Sequence, residues 1–145
     1  MTNDRTLYTS LAFAGALPFV ACALLPLAGF SAFEPVGQLD ELINSYGLAI
    51  VCFLAGIHWA TALMRPRRTP FNLLVVSNIV LLVTWFAFVL AATKWSLVTQ
   101  FIALVVLLLI DRRLVQSEVI SHSYFQARLV ATCLASAALI LIVLS

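Results

Sequence analysis

A chain of 145 residues that is 63% hydrophobic and only 10% charged, with a mean hydropathy of +1.10, has too few polar side chains to cover a soluble surface; soluble domains carry about 25% charged residues. It reads as a single integral membrane domain, and its formal net charge of +2 matters less than where the charges fall. No basic run interleaved with aromatics is present, so nucleic-acid binding has nothing to rest on.

Five apolar runs follow in order, and they predict an all-α, polytopic bundle of transmembrane helices. Residues 7–30 form the first. It exceeds the roughly 7–15 residues of a cleaved signal's apolar region. Phe19-Val20-Ala21-Cys22 has Phe where a lipoprotein cleavage site has Leu, so that reading is set aside. Gly15, Pro18, Cys22, Pro26 and Gly29 make a small-residue seam, and each proline frees a backbone carbonyl that a neighbour must satisfy.

Residues 31–43 read as a loop with Glu34, Asp40 and Glu41 and no Lys or Arg. The second span, 44–64, carries Cys52, Gly56 and Ala60 at four-residue steps, and Ala55 and Ala62 flank His58 on nearly the opposite face. Small residues on two sides predict close neighbours on both, hence a central helix. Arg65-Pro66-Arg67-Arg68-Thr69-Pro70 is a basic stop with two helix breakers. The third span is 71–93, with Ser77, Asn78, Thr84 and Trp85 inside it. A tight hairpin at Lys94 leads into the fourth, 95–110, which is near the short limit for crossing. Residues 111–123 read as a mixed polar segment with an interfacial helical turn, and 124–144 is the fifth span. Cys22, Cys52 and Cys133 lie in apolar runs without metal-ligand spacing, so they read as reduced packing residues and no metal site is expected.

Arg5, Arg65, Arg67, Arg68, Arg112, Arg113 and Arg128 all fall at one end of this bundle, and only Lys94 at the other. Because Lys and Arg collect on the cytoplasmic side, the N-terminus is expected in the cytoplasm and the C-terminus outside, in a bacterial inner (plasma) membrane. A rise of about 1.5 Å per residue then sets depth. By that rise His58 lies roughly 9 Å in from the basic end, Asn78 roughly 10 Å and Arg128 roughly 6 Å, with Asp111 closing the fourth span at the same surface. Tyr124, Arg128, Thr132 and Ser136 form an i, i+4 stripe that should turn inward. A charge in hydrocarbon costs about 2.5–3.5 kcal/mol even on insertion scales, so Arg128 should find Asp111, with His58 and Tyr124 nearby.

Plainer readings compete. His58 serves equally as a donor to a neighbouring carbonyl, Asn78 as interhelical glue, and Asp111 with Arg128 as a structural clasp. Trp59, Trp85 and Trp95 fit packing or the aromatic belt, and Arg65, Arg67 and Arg68 fit topology determinants that also suit anionic lipid.

Tyr46-Gly47 and the run through Phe53-Leu54-Ala55-Gly56-Ile57-His58-Trp59 resemble the signature of the transmembrane protein 69-like family, bacterial and mitochondrial membrane proteins of unknown function. Gly15-Ala16-Leu17-Pro18-Phe19, Trp85, Asp111, Tyr124, Arg128 and Thr132 resemble further positions of that family, while Ala55 and Ala127 stand where it often has Gly and Leu. The resemblance implies a fold and no reaction.

The leading expectation is a non-catalytic accessory or assembly protein that packs on a membrane partner or on itself through Gly15, Pro18, Cys52, Gly56 and Ala60. No cofactor is required by this reading. The alternative is a lipid or quinone headgroup site, binding or catalytic, at His58, Trp59, Asn78, Asp111, Tyr124 and Arg128. Proton or solute transport stands third, because the outer half offers little beyond Thr99 and Gln100 and no inverted repeat is visible.

Overall fold

A computed structural model describes residues 2–30, 32–33, 37–65 and 69–144. Helix α1 (Thr2–Leu24) runs into a 3-10 turn over Leu25–Ala28. Pro26 opens that turn and Gly29, at φ 87°, ends it in the left-handed region where a side chain would be strained. A two-residue hairpin pairs β1 (Ala32–Phe33) with β2 (Gly37–Gln38), placing Ala32 opposite Gln38. Then come α2 (Leu39–Met64), α3 (Leu73–Leu90), α4 (Thr93–Gln116) and α5 (His122–Leu144). All five helices are long and apolar enough to cross a membrane. Glu34, Arg67 and Arg68, together with the side chain of Arg5, lie outside the described residues.

The helices start and stop where local chemistry directs. Asp40 and Glu41 lie in the first turn of α2, where carboxylates favour the positive end of the helix dipole. Asn72 caps α3 by accepting from the Val75 N–H at 3.3 Å, and Ser121 accepts from the Tyr124 N–H at 3.2 Å to start α5. Inside the spans the hydroxyls of Thr61, Ser77, Thr84 and Thr99 donate to the carbonyl four residues back, which satisfies them without water.

Several boundaries differ from the sequence reading. α2 begins at Leu39, so its first turn lies within the stretch read as loop. α3 is shorter at both ends, held by the Asn72 cap and by the extended backbone of Ala91. α4 does not stop at residue 110 but continues through Gln116. Leu114 and Val115 are buried, so the helix past Asp111 is amphipathic rather than solvated.

α2 and α4 share the centre, each packing against three other spans, while α1 lies along α5 and meets α2 over a shorter contact. The core gathers Phe19, Ile43, Val51, Leu107, Leu114 and Leu139. The outer surface is apolar too: Ile79 is 56% exposed and Leu90 77% exposed on α3. Such a face suits acyl chains, not water.

Candidate functional site: a buried polar triad beside a side-opening cavity

The inward face of α4 reads Leu97, Gln100, Leu104, Leu107, Asp111 and Leu114, alternating three- and four-residue steps. That spacing keeps one stripe against its neighbours. Its two polar members, Gln100 and Asp111, each organise a cluster. α2 answers with Asn44, Gly47, Val51, Leu54 and His58 at the same steps.

At the basic end, His58, Asp111 and Arg128 come together from α2, α4 and α5, and none is more than 9% exposed. Arg128 Nε donates to Asp111 Oδ2 at 3.1 Å, and His58 Nε2 lies 2.8 Å from Asp111 Oδ1. An ionised carboxylate only accepts, so the imidazole donates through Nε2. Asp111 therefore sits between two donors and ties three spans at one level. His58 Nδ1 is buried with no hydrogen-bond partner among the described residues.

Toward the other end, Asn44, Ser96 and Gln100 form a second cluster. The Ser96 hydroxyl donates to Asn44 Oδ1 at 2.7 Å. Gln100 Nε2 donates to the Asn44 backbone carbonyl at 2.8 Å and to its Oδ1 at 2.7 Å. Two acceptors fix which end of the Gln100 amide faces Asn44. Gln100 Oε1 then lies over Gly47, where a Cβ would collide with it, so glycine is what permits the approach.

Between α1, α2 and α5 lies a cavity of about 480 Å³, within the usual range for small-molecule sites. Gly15, Phe19, Ile50 and Leu104 give it apolar walls. Its polar groups are Tyr8, Tyr124, Arg128 and Thr132, toward the basic end. Leu11 of α1 and Phe53 of α2 also line it yet are 63% and 65% exposed, so it opens sideways between those helices. At the far end the Phe19 and Tyr46 rings meet edge to face at 5.4 Å, and the Tyr46 hydroxyl donates to the Gly15 carbonyl at 3.0 Å.

The sequence-derived candidates fall in different places. Tyr124 lines the cavity and packs its edge against Tyr8 at 6.0 Å. Thr132 is buried on the same stripe, and Ser136 is half-buried. Asn78 shares the depth but not the cluster: its Nδ2 donates to Leu74 O in its own helix at 2.7 Å. Trp59 is 42% exposed on the outside of α2. Gly15 lines the cavity and Pro18 is half-buried. Cys52, Gly56 and Ala60 are exposed, so within the chain they do not form a close helix contact; Gly47 does that on the opposite side of α2. Tyr8, Asn44, Gly47 and Ser96 were not among the candidates, although the three-four stripe through Asn44, Gly47 and His58 marks two of them.

An all-helical bundle with five candidate membrane spans, an internal polar triad and a side-opening cavity defines a multi-pass membrane protein. The chain belongs to the DUF3429 family, proteins of unknown function, the match covering residues 5–144. No curated protein and no solved structure matches it.

Proposed function

We propose that this protein is a non-catalytic membrane protein that holds a single amphiphile, a lipid or quinone, with its head group at Arg128 and its apolar part between α1 and α2. The observation that carries this reading is the side-opening cavity with its polar groups gathered at one end. A scaffold whose interior served only packing would leave no such space, since interiors are filled. Leu11 and Phe53 mark the entry from the bilayer, and Tyr8, Tyr124 and Arg128 mark the head-group end.

Orientation follows the charges: the Arg65, Arg112 and Arg113 end faces the cytoplasm, so the ligand comes from the cytoplasmic leaflet of a bacterial inner membrane. The similarity of Gly56-Ile57-His58-Trp59 to the transmembrane protein 69-like signature extends the proposal to those proteins. An accessory role remains compatible with it, because the exposed Cys52, Gly56 and Ala60 face is available to a membrane partner or a second copy. Transport finds little support: the polar groups of the outer half are bonded to one another, away from the cavity walls.

The test is purification in mild detergent followed by mass spectrometry of bound lipids and quinones. Gly15→Leu is the control. Gly15 lines the cavity and a Cβ there meets nothing within 4 Å, so a larger side chain should take up part of that space. Wild type should retain an amphiphile that the variant loses at equal helicity. Equal retention by both would sink the proposal.

A further inference from the structure

Thr132 departs from most hydroxyls of the bundle; Ser136, one turn on, shares its lack of a partner among the described residues but does not line the cavity. Thr61, Ser77, Thr84 and Thr99 all bond to the carbonyl four residues back. Thr132 is 4% exposed and lines the cavity, yet its Oγ1 has no hydrogen-bond partner among the described residues. An unmatched hydroxyl in a low-dielectric interior carries a free-energy cost that a ligand oxygen would relieve. One turn earlier on the same stripe, Arg128 also lines the cavity and gives its Nε to Asp111. A guanidinium has further N–H donors on its two terminal nitrogens. This end of the cavity is therefore rich in donors.

It is also balanced in charge. Asp111 and Arg128 cancel. The bond from His58 needs only the proton on Nε2, and a second proton on Nδ1 would be buried with no acceptor among the described residues. A carboxylate or phosphate entering here would bring a net negative charge into hydrocarbon, which is expensive without a matching cation. An uncharged oxygen acceptor incurs no such cost.

We propose that the cavity selects an uncharged, carbonyl-bearing amphiphile, whose oxygen is held by the Thr132 hydroxyl and the Arg128 guanidinium, over one with an anionic head. This rests on the reading of the cavity as an amphiphile site. Two sources share that chemistry, a quinone and a neutral glyceride, and separate arms of one experiment tell them apart.

The full-length protein, stripped of lipid in an uncharged detergent, is titrated with decylubiquinone, with monolauroylglycerol, and with the lysophosphatidate of the same acyl chain. At least one uncharged probe should bind about tenfold or more tighter than the lysophosphatidate, a difference of about 1.4 kcal/mol; which one does so names the source. Thr132→Val should weaken that probe about fivefold, as expected for one lost hydrogen bond, while Thr132→Ser, which keeps the hydroxyl, should retain it. Equal or tighter binding of the lysophosphatidate, abolished by Gly15→Leu, would overturn the selectivity and leave the amphiphile site standing. No change with Thr132→Val in a folded protein would overturn the assignment of Thr132. Absence of binding by all three probes would overturn the selectivity and the amphiphile site together.

Discussion

Removing the Asp111 carboxylate leaves Arg128 buried with no counter-charge among the described residues, whereas removing His58 leaves the Asp111–Arg128 pair intact. The two substitutions should therefore differ in cost. Asp111→Ala should destabilise the bundle by about 3–5 kcal/mol, the usual penalty for stranding one member of a buried pair. His58→Ala should cost about 1.5–3 kcal/mol, the value of a hydrogen bond to a charged group. Replacing both ions, as Asp111→Leu with Arg128→Met, should recover most of the loss. Helicity followed through thermal unfolding in detergent measures all three, and a His58 variant weaker than Asp111→Ala would move the hub of the triad away from Asp111. Depth along the spans was enough to gather these three residues from sequence, because the rise per residue is fixed. Depth says nothing about rotation around the helix axis. Asn78, at similar depth, turns back to Leu74 of its own helix for that reason.

At the scale of the element, the lesson is in the α4 stripe. In a soluble helix the buried face announces itself by polarity, but here both faces are apolar and lipid does not distinguish them. The small-residue face of α2 through Cys52, Gly56 and Ala60 looked like a contact and is exposed. The buried face is marked instead by where rare polar residues recur at three-four spacing: Asn44 and His58 on α2, Gln100 and Asp111 on α4. The continuation of α4 beyond Asp111 was hidden by Arg112 and Arg113, which resemble the end of a span; both are exposed, and Leu114 behind them is fully buried. The outer cluster gives a prediction that belongs to this contact. Gly47→Ala sets a Cβ against Gln100 Oε1 and must push the amide off Asn44. It should destabilise by about 1–3 kcal/mol, the range for an overpacked site. In a Gln100→Ala background the same change should cost at least about 1 kcal/mol less, a coupling typical of residues in contact. Additive losses in that double-mutant cycle would show that the two helices do not approach through this glycine.

The polar groups of the cavity, Tyr8, Tyr124 and Arg128, lie at one end of the bundle, so the proposed function depends on which way the bundle sits. The charges were legible from the chain: Arg65, Arg112 and Arg113 belong to one surface and Lys94 to the other, a separation maintained by the alternation of the spans. The cavity was not legible, because it arises from α1 leaning along α5 and away from α2, a packing choice that no single span encodes. If the basic end faces the cytoplasm, as proposed, Tyr8, Tyr124 and Arg128 would meet head groups of the cytoplasmic leaflet. Single cysteines introduced by Ala92→Cys, in the turn between α3 and α4, and by Gln116→Cys, at the end of α4, test this. Both positions are exposed. The background replaces Cys22, Cys52 and Cys133 by alanine, since two of these are exposed on the lipid-facing surface and would blur the readout. A membrane-impermeant maleimide added to intact cells should label position 92 and reach position 116 only after permeabilisation. The opposite pattern would invert the bundle and move the ligand to the outer leaflet, while equal labelling of both in intact cells would mean that α4 does not cross the membrane.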